Sequence, residues 1–519
     1  MEATEVLAPG SNGTVSRIRQ LLDQLIDLEF TRPLAFALLG VVYIGSRAFW
    51  LDLGYGTDPD AWRVALSATY LWETGDYLPS RLPGYPLHEL VTAGLIKGGW
   101  VWTNMSTVLI SLVGIYLFAR LAQKLELPHR GALTLAFAFT PLLWINSVTT
   151  MDYMWALTFI MGAYLALINR APTLAGLSLG IAAGFRLTTL GMLFPFWLLL
   201  WRSDRRGELR ALTITSVAVA LVAYTPALME YGLNIFNFYD QRIPLGEVIK
   251  RLGKDGLGII GGLTLLAALA LSYQRLRRLP GDLVRDSHVL TWVAVLVVFF
   301  VSYTRLPHEI AYLIPVYPFG FFLLSRYLSR GLLVVTLSVA IVAGFVDITS
   351  SEDAVGIQTR TFTTAGIGGG MLLSDVDTLR KQIDFAELLR DFSATSDEVE
   401  KPAVVVSGFI YPELVMLHQE ELDFGILEKD LEAISQLSDK GKAEDPTANE
   451  ESQIIYVWLL EYEQFKEYQE QGKKIYFTPD GLRSTFTVNG YRPKYFGAEE
   501  LPVGRAIPPW AGGAAVTDR

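Results

Sequence analysis

The sequence predicts a mostly α-helical polytopic membrane protein of about eleven transmembrane helices, followed by a small extracytoplasmic α/β domain. Hydrophobic residues make up 51% of the 519 residues and the mean hydropathy is +0.33, which is more apolar than ordinary soluble enzymes. Residues 1–346 carry 27 Lys and Arg against 22 Asp and Glu, whereas residues 347–519 carry 16 against 31. An apolar, weakly basic part therefore precedes an acidic part that faces water.

The number of spans follows from the apolar runs. A helix needs about 20 apolar residues to cross a hydrocarbon core of ~30 Å. Runs of about this length lie at residues 33–51, 101–119, 131–149, 152–169, 209–229, 256–273, 289–303, 309–325 and 330–346. The longer run 173–201 contains Arg186, and a charge at that depth is costly unless it faces protein or water. This run predicts two short helices that meet near Arg186, which brings the total to about eleven.

The distribution of Lys and Arg predicts the orientation. With eleven spans, the loops rich in Arg fall on the cytoplasmic side together with the N-terminus, as the positive-inside rule requires. Residues 1–30 carry apolar side chains at helical spacing, which is typical of a cytoplasmic or interfacial helix; an ordinary exposed helix is left open. The transmembrane domain is then residues 31–346, with its first loop, 52–100, on the extracytoplasmic side.

The acidic C-terminal part, residues 347–519, alternates helical and strand patterns. A loop is predicted at 361–370 and a helix at 375–392. The β-rich runs 403–407, 454–458 and 474–477 predict a short parallel sheet. The strong acidity of this part argues against nucleic acid as a partner. The chain has no cysteine, which excludes a disulfide, a thiolate nucleophile and a Cys-ligated zinc site.

The first long polar interruption of the apolar part looks like an active site. Asp58 and Asp60 flank Pro59, a helical pattern follows from Ala61 to Trp72, and a Pro- and Gly-rich turn, Arg81–Pro86, comes after it. This loop places acids, a helix and a basic turn together at the predicted membrane surface.

These motifs resemble those of GT-C glycosyltransferases. The loop carries Asp58-Pro-Asp60, then Thr74-Gly-Asp-Tyr77, then Arg81-Leu-Pro-Gly-Tyr-Pro-Leu87. The relatives are multi-span enzymes that use polyprenyl-phosphate sugars, and they include protein O-mannosyltransferases and aminoarabinose lipid A transferases. Asp152, the Gly-rich run before Arg186 and the segment 305–315 match the family in order as well. The chain departs from the family in carrying Asp-Pro-Asp where an adjacent Asp-Glu is expected, which leaves open which carboxylate is the base.

The resemblance implies an inverting transfer of a sugar by direct displacement, from a polyprenyl phosphate to a lipid, glycan or protein acceptor, in a bacterial inner or plasma membrane. It assigns catalytic roles to Asp58, Asp60 and Asp152, binding of the donor phosphate to Arg186, Arg305 and Arg81, and substrate contacts to Tyr85, His308 and Tyr312. Such a reaction needs a base near the acceptor and positive charge near the departing phosphate. Arginine suits the second role because its planar guanidinium matches phosphate oxygens.

Other readings of the same residues stay open. Asp58 also suits the N-cap of a helix that begins at Pro59, and Asp60 suits the positive end of that helix's dipole. No cofactor and no metal ligand is assigned, a divalent ion is left open, and His308 with Glu309 is a weak pair for a metal or a phosphate. A flippase for lipid-linked sugars and a non-catalytic membrane scaffold are the alternative functions.

Overall fold

The structure is a computed structural model that describes residues 20, 23–236, 245–304, 309–350, 365–417, 454–479, 481–482, 485 and 490–501. Most of the predicted N-terminal helix, Arg305 and His308 lie outside these residues. The helices are α1 Pro33–Arg47, α2 Pro59–Thr74, α3 Pro86–Leu95, α4 Gly99–Lys124, α5 Arg130–Phe139, α6 Pro141–Asn146, α7 Tyr153–Ile168, α8 Pro172–Phe185, α9 Leu193–Arg202, α10 Leu209–Ala223, α11 Thr225–Tyr231, α12 Leu245–Arg251, α13 Gly258–Leu271, α14 Tyr273–Leu276, α15 Leu279–Arg285, α16 Ser287–Tyr303, α17 Val316–Tyr327, α18 Arg330–Val342, α19 Met371–Thr395, α20 Tyr411–Leu417 and α21 Tyr462–Glu470. The strands are β1 Val346–Ser350, β2 Ala365–Gly369, β3 Ala403–Val406, β4 Ile454–Val457, β5 Lys474–Phe477 and β6 Glu499–Glu500.

The prediction of about eleven transmembrane helices is wrong. Within the described residues one helical segment, Pro86–Lys124, is long and apolar enough to cross a membrane. Two bent pairs raise the number to three if each pair counts as one span. They are Arg206–Ala223 with Thr225–Tyr231, bent by 57°, and Gly258–Leu271 with Tyr273–Arg285, bent by 69°. The prediction that successive loops alternate between the two sides of the membrane assumed eleven spans, so it no longer follows.

The span count failed because apolar runs were equated with single helices. The run 131–149 folds as α5 and α6, which are separated by an extended Thr140 in front of Pro141. Proline lacks the N–H that would continue the helical hydrogen-bond ladder, so it starts a new helix instead. The run 152–169 gives α7, which has 16 residues. Helices of this length fall short of the ~20 residues that a bilayer crossing needs.

Helix α8 ends where the sequence predicted a break. Its last residue is Phe185, Arg186 is extended at φ −153° and ψ 107°, and a 3-10 turn follows from Leu187 to Met192. Helix α8 packs against α7 on one side and α10 on the other. A Cβ on Gly176 would lie 2.7 Å from the Leu212 carbonyl oxygen of α10, so this glycine permits close contact between the two helices. The packing of α7 against α8 brings the start of α7 beside the end of α8.

The C-terminal part contains a four-stranded parallel sheet in the order β4-β3-β5-β6. All three predicted strand runs are strands in this sheet, each close to its predicted bounds. The predicted loop 361–370 is wrong for its described half, because residues 365–369 form β2, which pairs antiparallel with β1. Pattern alone missed this strand because its sequence, Ala-Gly-Ile-Gly-Gly, has one β-branched residue, Ile367, among glycines, which are rare in strands.

Helices α19 and α20 hold the C-terminal part against the first loop. The Thr57 hydroxyl donates to the Asp375 carboxylate over 2.8 Å, and the Gln382 side chain donates to the Thr57 carbonyl over 2.9 Å. Helix α20 packs on α2, where Met416 contacts Thr69. The two contacts of Thr57 lie one residue from Asp58, so the C-terminal part packs on the loop beside the predicted acidic pair.

The buried carboxyl of Asp375 gives this contact a pH dependence. Burial raises the pKa of Asp375 to about 6, above its ordinary value of 3.8. The folded protein therefore binds this proton more tightly than the unfolded chain. The protonated Asp375 carboxyl therefore stabilises the folded protein. This contribution is complete below about pH 4 and is lost as the pH rises through about 6.

We therefore expect Asp375→Asn to raise the free energy of unfolding at pH 7 by up to about 3 kcal/mol, because the amide mimics the protonated carboxyl. The measurement is the thermal unfolding midpoint in detergent between pH 4 and pH 8. Asp377→Asn is the matched control, since Asp377 lies on the same helix with its side chain 62% exposed and paired to Lys381. Equal pH dependence of wild type and Asp375→Asn over this range would contradict the prediction.

Candidate active site

Asp152 lies at the centre of a buried cluster of charges. Its side chain is 0% exposed. The Arg186 Nε and Nη2 donate to its two oxygens over 2.5 Å and 3.1 Å, and the Arg81 Nη2 donates over 3.0 Å. Asp152 directly precedes α7 and Arg186 directly follows α8, so the packing of these two helices brings the pair together. Two guanidinium groups thus share one buried carboxylate.

Arg81 connects this cluster to the first loop. Its Nε forms an ion pair with the second oxygen of Asp60 at 3.0 Å, in addition to the contact with Asp152. Its third nitrogen, Nη1, is buried and has no hydrogen-bond partner among the described residues. Gly84 makes the turn after Arg81 at φ +91°, a backbone conformation that side chains with a Cβ rarely adopt. The turn brings the Tyr85 ring within 3.9 Å of the Arg81 guanidinium carbon.

Asp60 is held as an anion by two arginines. Besides Arg81, the Arg63 Nη1 donates to Asp60 over 2.9 Å. Burial alone would raise the pKa of Asp60, but Arg81 and Arg63 outweigh it and hold that pKa below its ordinary value. The side chain keeps 28% of its surface exposed, in contrast to Asp152. A carboxylate that is paired twice and stabilised as an anion is a weak proton acceptor.

Asp58 differs from both other carboxylates. It caps α2, since its Oδ1 accepts the Asp60 N–H over 2.9 Å, and it forms no ion pair within the described ranges. Burial, followed by the negative charges of Asp60 and Glu309, raises the pKa of Asp58 well above its ordinary value. Asp58 therefore has the N-cap role that the sequence left open. The carboxyl also has a raised proton affinity that capping does not need.

Glu309 approaches Asp58 from a different part of the chain. Its Oε1 accepts the Ala311 N–H over 3.0 Å and so caps the 3-10 turn Ile310–Leu313. Burial raises the pKa of the Glu309 carboxyl, and the negative charge of Glu309 contributes to the raised pKa of Asp58.

Tyrosine rings surround the arginines. The Arg186 guanidinium carbon lies 3.7 Å from the centre of the Tyr153 ring, 4.9 Å from that of Tyr312 and 5.1 Å from that of Tyr85. The Tyr153 and Tyr312 rings also contact each other edge to face. Aromatic faces stabilise the guanidinium through cation–π attraction. The rings also keep it fixed in one position.

The structure brings together most of the residues that the sequence proposed. Seven of them meet in this cluster: Asp58, Asp60, Asp152, Arg81, Arg186, Tyr85 and Tyr312. Arg305 and His308 lie outside the described residues. Sequence reasoning missed Arg63 and Tyr153, and it considered Glu309 only as a ligand beside His308. The signal for Arg63 was its position three residues after Asp60 on one helix, where charged side chains meet.

The described residues contain no group of three His, Asp or Glu side chains arranged to hold a metal ion. No family model matches the sequence, and the search of curated proteins finds no match. The resemblance to glycosyltransferases therefore rests on the motifs quoted above.

Proposed function

We propose that this protein is a membrane glycosyltransferase that transfers a sugar from a polyprenyl-monophosphate donor to an acceptor hydroxyl or amine. The observation that carries the proposal is the pair of arginines, Arg81 and Arg186, on the single buried carboxylate of Asp152. Leaving a buried donor such as the Arg81 Nη1 without a partner costs about 1–3 kcal/mol, which an anionic ligand would offset. Guanidinium groups suit phosphate because they present paired N–H donors in a plane.

In this proposal Arg81 and Arg186 supply positive charge to the departing phosphate. When the bond between the sugar and the phosphate breaks, negative charge grows on the phosphate oxygens. Fixed, desolvated donors stabilise such charge without having to reorganise during the reaction. The tyrosine rings around Arg186 and the bonds from Asp152 provide this fixation. Arg81 and Arg186 therefore bind the donor phosphate and stabilise its departure.

Asp58 is the base that fits best among the three carboxylates. Asp152 is fully buried and pairs with Arg81 and Arg186. Asp60 pairs with Arg81 and Arg63. Asp58 alone combines a raised pKa with the absence of an ion pair to the described residues. In the proposed step, the acceptor oxygen gives its proton to Asp58 and attacks the anomeric carbon. The bond to the phosphate oxygen breaks with its electron pair remaining on the phosphate, and the configuration at the sugar inverts.

Apolar surface supports a position in the membrane. On α1 the side chains of Leu34, Leu38 and Val41 share one face at helical spacing and are all strongly exposed. An exposed apolar face of this kind indicates contact with lipid or with a partner. The segment Pro86–Lys124, which is long enough to cross a membrane, begins directly after Tyr85 of the site. A phosphate on a lipid anchor would thus reach Arg81 at the membrane surface.

The test is transfer by the purified protein in lipid nanodiscs, with radiolabelled polyprenyl-monophosphate sugars and membrane extracts as acceptor. We expect labelled product and free polyprenyl phosphate to form in equal amounts. Binding of the donor without any transfer would favour a flippase instead. No binding and no transfer with any donor sugar would overturn the proposal.

Replacement of Arg81 by lysine tests the phosphate role directly. Lysine keeps the positive charge but cannot contact Asp60, Asp152 and a phosphate at once. We expect Arg81→Lys to lower kcat/KM for the donor by roughly 10²-fold, in line with the loss of one fixed donor to a developing oxyanion. Arg275→Lys is the control, because Arg275 donates to a backbone carbonyl at Leu328, far from the cluster. Equal activity of the two variants would remove Arg81 from the proposed site.

A further inference from the structure

We propose that Glu89 is a positioning residue for Arg81, which holds the backbone on both sides of that arginine and so directs its guanidinium group at the donor phosphate. This inference rests on the proposed function and gives a role to a buried carboxylate that the proposed reaction leaves unused. Glu89 lies in the first turn of α3, is buried, and forms no ion pair with the described residues. Its partners are four hydrogen-bond donors from the segment that precedes α3.

Each oxygen of the Glu89 carboxylate accepts one backbone N–H and one hydroxyl. Oε1 accepts the Ser80 N–H over 2.7 Å and the Ser80 hydroxyl over 2.6 Å. Oε2 accepts the Tyr77 hydroxyl over 2.6 Å and the Tyr85 N–H over 3.2 Å. Ser80 directly precedes Arg81, and Tyr85 follows at the other end of the turn. One side chain therefore fixes both ends of the turn that carries Arg81.

Further contacts close the same turn. The Arg81 carbonyl accepts the Gly84 N–H over 2.7 Å, and the Gly84 carbonyl accepts the Tyr224 hydroxyl over 3.0 Å. A Cβ on Gly84 would lie 2.6 Å from the Tyr77 hydroxyl oxygen, and this is the hydroxyl that donates to Glu89. The glycine therefore leaves room for the bond between the tyrosine and the carboxylate.

The position of this backbone matters because Arg81 divides its guanidinium among several partners. Its Nε pairs with Asp60 and its Nη2 with Asp152, both at 3.0 Å, while Nη1 has no partner among the described residues. Hydrogen bonds weaken steeply beyond about 3.2 Å, and misplacement of a binding group by about 1 Å can lower a rate roughly 10²-fold. By fixing the turn, Glu89 determines where the Nη1 donors point.

The donors around Glu89 require a carboxylate rather than an amide. A backbone N–H can only donate, and each oxygen of Glu89 accepts one. The amide nitrogen of glutamine donates but does not accept hydrogen bonds. In either orientation of the amide, that nitrogen would face the N–H of Ser80 or of Tyr85, donor against donor. Glu89→Gln should therefore release one end of the turn while nearly keeping the size and shape of the side chain.

The first experiment measures hydrogen exchange of residues 77–85 by mass spectrometry and depends on no activity. We expect Glu89→Gln to speed exchange in this segment about tenfold or more, because a backbone N–H loses its acceptor. Asp347→Asn is the matched control, since Asp347 is also a buried carboxylate and accepts N–H groups of α13 and β1, outside the cluster. Wild-type exchange of residues 77–85 in Glu89→Gln would overturn the proposal.

The second experiment measures the Kd of polyprenyl monophosphate, without a sugar, in lipid nanodiscs for wild type, Glu89→Gln, Arg81→Lys and the double variant. A residue that acts through Arg81 loses its effect once Arg81 is replaced. We expect Glu89→Gln to raise Kd about tenfold in the wild-type background and less than about twofold in the Arg81→Lys background. Asp347→Asn should leave Kd unchanged. Equal effects of Glu89→Gln in the two backgrounds would assign Glu89 to stability alone and overturn the proposal.

A second variant covers the case in which Glu89→Gln does not fold, as its thermal midpoint would show. Tyr77→Phe removes one hydroxyl from Glu89 and keeps both backbone hydrogen bonds. We expect it to raise Kd about threefold, again only when Arg81 is present. An equal rise in the Arg81→Lys background would contradict the positioning role.

The two proposals can fail separately. Binding with the expected coupling, but without transfer of any sugar, would overturn the proposed function and support the positioning role. Transfer by wild type, with independent effects of Glu89→Gln and Arg81→Lys on Kd, would leave the glycosyltransferase standing and overturn the role of Glu89. Absence of binding in wild type would overturn both.

Discussion

Asp58→Asn is expected to lower the rate of sugar transfer by roughly 10²- to 10⁴-fold, the usual contribution of a positioned general base. The amide has nearly the same shape as the carboxylate but cannot accept the acceptor's proton. Because the arginines proposed to bind the phosphate contact Asp60 and Asp152, donor binding should change little. The loss should therefore appear in kcat, with KM for the donor nearly unchanged.

The substitution separates catalysis from capping. Asparagine is about as good an N-cap as aspartate, so α2 should keep its start and the protein its stability. Asp286→Asn is the matched control, since Asp286 caps α16 by accepting the His288 and Val289 N–H groups and lies away from the cluster. If both variants transfer sugar at the wild-type rate, Asp58 is a cap alone and another group must be the base.

Asp152→Asn is expected to lower the free energy of unfolding by roughly 3–5 kcal/mol, because it removes the shared counter-charge of two buried arginines. Breaking a buried pair costs more than the pair itself contributes, since the remaining charges stay away from water. The guanidinium groups of Arg81 and Arg186 would then repel each other at close range. Chemical denaturation in detergent, followed by intrinsic tryptophan fluorescence, measures the loss.

Asp60→Asn provides the comparison for this prediction. Asp60 also pairs with two arginines, but its side chain is 28% exposed, so water compensates for part of the lost charge. We expect a clearly smaller destabilisation than for Asp152→Asn. Adding Arg186→Gln to Asp152→Asn should recover part of the stability, because it removes one uncompensated charge. Similar losses in Asp152→Asn and Asp60→Asn would show that burial of the cluster is not what makes Asp152 important.

The helical start of the first loop could be read from the sequence because it depends on local signals. Asp58 before Pro59 predicted the start of α2, and Gly75 closes it in the left-handed region at φ +81°. The break at Arg186 was equally local, because a charge in an apolar run favours an interruption there. The three strands β3, β4 and β5 followed from runs of β-branched residues.

The number of membrane-spanning helices is the part of the fold that the hydropathy pattern predicted wrongly. Hydropathy measures how apolar a run is but not whether it forms one straight helix. A break at Thr140 and a 57° bend between α10 and α11 divide runs that the composition presents as continuous. The number and length of helices depend on these breaks and on what packs around them.

The sequence by itself determined which residue types are available for the proposed sugar transfer and in which segments they lie, because acids, arginines and Pro/Gly turns are local features. Only the tertiary structure decided their roles. Asp58, Asp60 and Asp152 are the same chemical group, and the residues around each one make them differ: two arginines for Asp60, complete burial for Asp152, and burial beside the negative charges of Asp60 and Glu309 for Asp58. Those neighbours come from distant parts of the chain, and the free energy of a charge depends on what surrounds it in space.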